Sequence, residues 1–413
     1  MSIIGNNTFD LIGDSRTALQ NEGGNGTSSF QQNSYNYFNQ ANALFGQRFQ
    51  VVNSLGVPGD RTDQYLAAGL ATCVASTAKY CAIFGVVNDF IQGYTAAQAW
   101  SGGSGYNNSP GISGACAQLI AAGKTPILFT EPGQDGMTAT AILAISQFNQ
   151  YARELAEKGQ IILVDAAAVF VDPVASTSSV LHLKTGYTSD GLHPSQLGAY
   201  YAGQAFGQAM LPFVPALPQF PYCAAEDASI QTLPNNLFTT TTGGTISGAG
   251  TVTGAMPAGW SITVPAGASV TVSTVAPSPY GDGNDLELVI TASAAADVVL
   301  NVNAAVPVAG DVYQAGAEFY VAQATGTFLG AEATMALVYN TSSVITAQDY
   351  NNGAVLATNG PPGPYTYTVK TPKITVPAGS APVSLSLEFD LVFAASGSAT
   401  IYIRRTWLRK RFS

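Results

Sequence analysis

Short apolar runs and longer amphipathic segments alternate through residue 211 of this 413-residue chain. The runs at residues 9–12, 49–53, 80–84, 126–130 and 161–165 are too short for helices and read as buried strands. Between and after them, residues 34–45, 62–75, 113–122, 139–157 and 195–210 space their apolar positions as helices with one buried face do. Strand and helix in alternation predict an α/β fold, a five-stranded parallel sheet covered on both faces. Open sheets of this kind hold their sites at the carboxyl ends of the strands.

The rhythm then changes. Pro212, Pro215, Pro218 and Pro221 recur every third residue, which suits an extended polyproline II segment. Residues 212–223 are therefore expected to be a semi-rigid linker between domains that fold independently. Beyond it, apolar residues alternate with Thr, Ser and other polar ones at 260–264, 269–275, 286–291, 298–302, 317–321, 333–339, 365–369, 383–392 and 400–404. A period of two, punctuated by Gly, Pro and Asn, predicts an antiparallel β-sandwich of jelly-roll type. The expected organisation is an α/β domain over 1–211, the linker 212–223, and a sandwich over 224–413.

Composition narrows the function classes. Fifteen basic against 25 acidic residues give a net charge of −10, which argues against a general nucleic-acid binder. No apolar run approaches the roughly 18–20 residues a membrane helix needs. Residues 1–8 lack the basic and apolar regions of a secretory signal, so none is expected unless the chain begins at a mature start. The four cysteines, Cys73, Cys81, Cys116 and Cys223, have no metal-binding spacing and read as buried thiols, with one disulfide as the alternative. Gly281, Asp282, Gly283, Asn284 and Asp285 form an oxygen-rich run that reads as a turn, with calcium binding as the alternative. Five of the basic residues lie in the tail from Arg404 to Arg411, expected to be a last strand running into a solvated or subunit-facing end.

Four short blocks carry candidate chemistry. Ser15, in Gly13-Asp14-Ser15-Arg16, stands where the first strand ends and the chain must turn. Gly56 and Gly59 follow the second strand, and either can bring a backbone N–H close to a substrate oxygen. Asn88 follows the third strand and offers a side-chain N–H. Asp190 precedes His193 by three residues, so one turn can bring a carboxylate to the imidazole, as serine activation requires. The other histidine, His182, is flanked by Leu181 and Leu183 and reads as structural.

Taken in order, these blocks resemble the SGNH, or GDSL-type, serine hydrolases. That resemblance implies a flavodoxin-like domain with Ser15 as nucleophile, His193 as base and Asp190 as its partner. It implies an oxyanion hole of the Ser15 N–H, Gly59 and Asn88, Gly59 being preferred to Gly56 because an aspartate follows it. No metal or organic cofactor is implied. One departure stands out. The family usually has glycine two residues before the asparagine, whereas Val86 stands there and the glycine is Gly85.

The resemblance leaves the substrate open among lipid, thioester, aryl and sugar O-acetyl esters. Tyr94, Trp100 and Tyr106 lie in a Gly-, Ser- and Asn-rich segment over 91–111, and exposed rings beside amides suit a sugar face. In the second half, Leu233-Pro234-Asn235-Asn236-Leu237-Phe238 and Gly259-Trp260 resemble carbohydrate-binding β-sandwich modules and the C-terminal parts of phage and prophage tail proteins. The reading is an esterase acting on O-acetyl groups of a surface or capsular polysaccharide, similar to phage-tail esterases. Its sandwich would bind glycan, or join copies of the chain or a virion. The alternatives are a lipid or small-ester esterase, and a non-catalytic glycan-binding or structural virion protein.

Overall fold

The computed structural model describes residues 7–18, 29–103, 106–107, 109–214, 232–276, 283–325, 327–351 and 360–411. They form two compact units that are not contiguous in sequence. The first comprises Met1–Gln20, Tyr35–Asn42 and Arg48–Leu217, the second Asn21–Ser34, Ala43–Gln47 and Pro218–Ser413. Most of the proline-rich linker, residues 215–223 with Cys223, lies outside the described residues.

In chain order, the elements through residue 214 are β1 (Thr8–Gly13), α1 (Ser15–Ala18), β2 (Ser29–Asn33), α2 (Tyr37–Leu44), β3 (Gln50–Gly56), α3 (Thr62–Ala75), β4 (Tyr80–Phe84), α4 (Val87–Ile91), α5 (Ala96–Ser101), α6 (Gly111–Ala121), β5 (Thr125–Phe129), α7 (Ala139–Glu157), β6 (Ile162–Val164), α8 (Ala166–Phe170) and α9 (Gln196–Met210). The first unit is built on one parallel sheet in the order β3-β1-β4-β5-β6. This is the flavodoxin-like order, in which the crossovers reverse direction beside the first strand. β1 lies inside the sheet between β3 and β4, and its Phe9, Leu11 and Ile12 are fully buried, as is Asp10, whose carboxylate accepts from Asn53 and Ser76.

Local chemistry sets the boundaries. The first predicted helix begins three residues late, at Tyr37, because the Asn36 side chain accepts the N–H groups of Phe38 and Asn39. Ser195 caps α9 by accepting the Gly198 N–H. From α9, Phe206 enters a cluster of rings with Phe9, Tyr37, Phe38, Phe49 and Phe129, centroids 5.5–6.0 Å apart. Cys73, Cys81 and Cys116 are free and buried.

The second unit adds β7 (Thr245–Ser247), β8 (Thr251–Gly254), β9 (Trp260–Thr263), β10 (Ala268–Val275), β11 (Asp285–Ala292), β12 (Ala296–Asn303), β13 (Val312–Ala324), β14 (Phe328–Tyr339), β15 (Ser343–Asn351), β16 (Tyr365–Lys370), β17 (Ile374–Thr375), β18 (Pro382–Phe393) and β19 (Gly397–Arg411). One sheet runs β16-β13-β19-β11-β10-β8, with β17 paired to β13. The other runs β2-β15-β14-β18-β12-β9-β7. Pairing is mainly antiparallel, but β8, β7 and β2 join as parallel strands, so both sheets are mixed. Alternate residues are buried along most strands. Trp260, Phe319 and Phe389 meet in the core, with centroids 5.1 and 6.0 Å apart.

β2, whose polar SFQQN sequence gives no strand signal, pairs with β15 and so belongs to the second unit. The basic tail is not a solvated end: β19 runs through Arg411, and Trp407, Leu408 and Arg409 are buried. In the oxygen-rich run, residues 281–282 lie outside the described residues. Asn284 donates to the Phe238 carbonyl, and Asp285 is bound by Arg404 at 2.7 Å, so both already serve the fold. Among the described residues no group of three or more His, Cys, Asp or Glu is placed to hold a metal. No described helix is long and apolar enough to cross a membrane.

The aromatic cluster yields a first expectation. Phe206→Ala removes a ring touching five others and leaves a cavity, at a cost of about 3–5 kcal/mol. Denaturant unfolding should show the loss in the transition of the first unit. A change near zero would mean that the cluster does not anchor α9.

Candidate active site

Ser15 is half-buried at the first position of α1, directly beyond the carboxyl end of β1. The turn is closed by Asp14, whose carbonyl accepts the N–H groups of Thr17 and Ala18 and whose carboxylate accepts that of Arg16. Gly85, just after β4, lies against this turn: a Cβ there would meet the Asp14 nitrogen at 2.4 Å, and its φ of +146° also favours glycine. The displaced glycine of the third block is thus required where it stands, and Val86 beside it is buried.

Beneath Ser15 lies a buried ion network. Arg16 forks onto Glu131 at 2.9 and 2.8 Å and reaches Asp14 at 3.1 Å, with all three side chains at most 1% exposed. The guanidinium also sits 4.3 Å from the Phe84 ring centroid. Burial opposes the charge on Arg16, but the two carboxylates outweigh it and raise its pKa. Glu131 also accepts the N–H groups of Val86 and Gly133, and Asn149 of α7 clamps its main chain in both directions. Glu131 and Asn149 were not singled out in the sequence. The available signal was position, since Glu131 follows its strand as closely as Ser15 follows β1.

His193 lies on a tightly closed loop before α9. The Ser189 N–H donates to the His193 carbonyl, Ser195 Oγ donates to the Gly186 carbonyl, and Gly191 turns at φ +83°. Asp190 Oδ1 accepts the N–H groups of Leu192 and His193 at 2.9 and 2.8 Å. Its other oxygen lies 2.7 Å from His193 Nδ1, and His193 Nε2 lies 2.9 Å from Ser15 Oγ. Partial burial would raise the Asp190 carboxyl, but the hydrogen bonds from the His193 side chain and the loop backbone hold it below its ordinary value. Asp190 thus remains a carboxylate at neutral pH, able to hold the proton on Nδ1 and leave Nε2 as acceptor.

Two backbone donors of the candidate site are unspent. Among the described residues, neither the Ser15 N–H nor the Gly59 N–H donates to a protein acceptor. Gly59 is exposed in a turn with φ +82°, after Val57 has donated to the Gly13 carbonyl and bound the loop to β1. Asn88, half-buried on α4, spends one side-chain N–H on the Asp60 carbonyl at 2.9 Å and keeps a second. Gly56 ends β3, where a Cβ would collide with Ala18, so its lack of a side chain serves packing.

The expected sugar platform does not form as drawn. Tyr106 is fully buried, its hydroxyl donating to Asp89, and has no ring face to offer. Trp100 is half-buried against Phe148 and Tyr151. Tyr94, also half-buried, carries the Arg61 guanidinium 4.8 Å from its ring centroid. His182, which has no carboxylate near it in sequence, meets Asp135 at 3.2 Å, and Asp135 also accepts the Leu183 N–H. Around this pair lies a cavity of about 330 Å³ lined by polar groups, among them Asp135, Asp172, His182, Lys184, Thr188 and Gly191.

The ion network can be tested apart from catalysis. Glu131→Ala leaves Arg16 with one carboxylate and strips acceptors from Val86 and Gly133. The expected loss is roughly 3–5 kcal/mol in unfolding free energy, the usual cost of breaking a buried pair from one side. A loss below about 1 kcal/mol, the range of exposed pairs, would refute that role.

No curated protein matches this chain. Solved structures similar to it include a putative lipolytic protein of the G-D-S-L family from Desulfitobacterium hafniense, 17% identical, covering 49% of this chain and 99% of its own, with TM-score 0.37. A putative acylhydrolase from Bacteroides fragilis is 16% identical over 49% of this chain and 86% of its own, with TM-score 0.36. A third structure, described in terms of carbohydrate-binding modules of the β-sandwich superfamily, is 12% identical over 36% of this chain and 56% of its own, with TM-score 0.26. The model of the GDSL-like lipase/acylhydrolase family matches residues 11–200, from within β1 into α9. Residues 11–200 of this chain are a GDSL-like lipase/acylhydrolase domain.

Proposed function

We propose that this domain hydrolyses esters by acyl transfer through Ser15, and that its natural substrate is an O-acetylated polysaccharide. The observation that carries the reaction is the unbroken chain from Ser15 Oγ through His193 to Asp190, at 2.9 and 2.7 Å. Ser15 Oγ attacks the ester carbonyl while His193 Nε2 takes its proton. The oxyanion that forms meets the Ser15 and Gly59 N–H groups and the free Asn88 N–H, each worth about 3 kcal/mol in the transition state. His193 then protonates the departing alcohol as the carbon–oxygen bond breaks. Water, deprotonated by the same imidazole, cleaves the acyl-enzyme and restores Ser15.

The polar cavity beside the His193 loop supports the sugar reading over a lipid one. A long acyl chain needs an apolar channel, whereas this lining offers carboxylates, an imidazole and backbone groups suited to hydroxyls. A sandwich that also bound the polymer would raise the local concentration of ester groups.

Ser15→Ala should fold normally and lose at least about four orders of magnitude in turnover of an aryl acetate. Retention of more than a few per cent of wild-type turnover would remove Ser15 from the nucleophile's role. Asp190→Asn should lower kcat by about 10²–10⁴-fold with little change in KM, because the lost charge matters most in the transition state. Since the Asp190 carboxyl is held low, it adds no ionisation near neutrality. Activity requires His193 Nε2 free to take the serine proton, so it should be lost in acid, with no step from Asp190 near neutrality. His182→Ala should leave that profile in place; loss of activity there with Asp190→Asn still active would move the base to His182. Acetate released from O-acetylated polysaccharides, set against hydrolysis of long-chain acyl esters, decides the substrate class.

A further inference from the structure

Asp89 is fully buried on α4, next in sequence to Asn88. Its Oδ2 accepts the Thr62 backbone N–H at 3.1 Å and the Thr62 hydroxyl at 2.9 Å, while Oδ1 accepts the Tyr106 hydroxyl. Thr62 is the first residue of α3, three positions after Gly59. Two further links join the same segments: Asn88 donates to the Asp60 carbonyl at 2.9 Å, and Arg61 donates to Gln92 at 2.8 Å. No other described contact ties α4 to the start of α3 through a buried charge.

A buried carboxylate is costly, and here no cation is hydrogen-bonded to it, although Arg61 acts on it through space. Arg61, the basic residue at the start of α3, forks onto Asp63 at 3.0 Å instead. Tyr65 on α3 and Tyr106 face Asp89 as neutral phenols, and α7 meets α4 through the uncharged ring of Phe148. An apolar side chain would fill this position at lower cost. What the carboxylate adds is direction, because three donors converge on it and fix α4 against the loop that carries Gly59.

We propose that Asp89 is the positioning residue of the oxyanion hole, holding Asn88 and Gly59 at the spacing that lets both donate to one oxygen. The inference rests on the acyl-transfer reading above. Asp89 does not touch substrate and acts through Asn88 and Gly59. Burial pushes its carboxyl up to about 7, with the Thr62 bonds opposing and Asp63 adding to the rise. Below that value the protonated carboxyl loses an acceptor site and must itself donate, which loosens the tether. The sign for stability is opposite. A group whose folded value is raised contributes stability at low pH that is lost as pH rises through the folded value. Turnover should therefore improve as pH passes about 7, where the stability cost that builds up from the ordinary carboxyl range reaches its full size.

Asp89→Asn mimics the protonated form and tests this. With an aryl acetate above pH 7, kcat should fall about ten- to a hundred-fold while KM stays within about two-fold, as expected for misplaced oxyanion donors. The acid limb of kcat should lose the ionisation that Asp89 contributes. A merely structural role predicts lower thermal stability with kcat and the limb unchanged, and that result overturns the proposal. If Asp89→Asn does not fold, Tyr106→Phe and Thr62→Val each remove one donor and should each lower kcat several-fold at constant KM; no change in either overturns it equally. Ser15→Ala in the same assay separates the two claims. An active Ser15→Ala sinks the acyl-transfer reading, whereas an inactive one beside an unaffected Asp89→Asn sinks only this inference.

Discussion

The site depends first on a buried cation. Arg16 follows the serine directly, and its guanidinium is held by Asp14 on one side and Glu131 on the other. Through Glu131 the network reaches the ends of β4 and β5, and through Asn149 it reaches α7. Three segments that would otherwise end independently at the carboxyl edge of the sheet, and the middle of α7, are tied to one charge. An isolated buried ion would be prohibitive, and two carboxylates with forked geometry and further N–H donors make it tolerable. Because Asp14 and Arg16 flank Ser15, the turn bearing the hydroxyl cannot shift without breaking ion pairs.

This division explains what was readable from sequence. Strands such as β4 and helices such as α3 and α7 begin and end where the pattern predicts, because burial periodicity acts residue by residue. All nine strands predicted beyond the linker have counterparts for the same reason. β2 and β15 were not legible: their pairing joins residues more than 300 positions apart, and the polar β2 carries no alternation. Ser15 stood out because its block ends a strand, and Asp190 and His193 because they share one short block just before a helix. Glu131 and Asn149 were not, since each is a lone residue whose partner is distant in sequence.

The aromatic residues show the limit of composition as a guide. Tyr94, Trp100 and Tyr106 sit among small polar residues, and that context suggested exposed rings. Tyr106 is instead the donor that completes the shell around Asp89, and Trp100 packs on α7. Small flanking residues let the chain fold these rings inward as readily as outward. Sequence context cannot distinguish the two outcomes; a hydroxyl with a buried acceptor within reach can.

A common logic joins the two buried carboxylate clusters. The residues to which the proposal assigns chemistry lie nearer the surface: Ser15, Asn88 and His193 are half-buried, and Asp190 and Gly59 are exposed. Each is held by few bonds of its own. The residues beneath them, Asp14, Arg16, Glu131 and Asp89, are fully buried and saturated with partners. Charge placed where water cannot reach is expensive, but it tolerates little displacement, because each lost hydrogen bond exposes an unpaired ion to a low-dielectric interior. Rigidity is thereby supplied from below the cleft. The surface groups keep free valences, an unspent N–H on Ser15 and Gly59 and a second one on Asn88, that an oxyanion can take up.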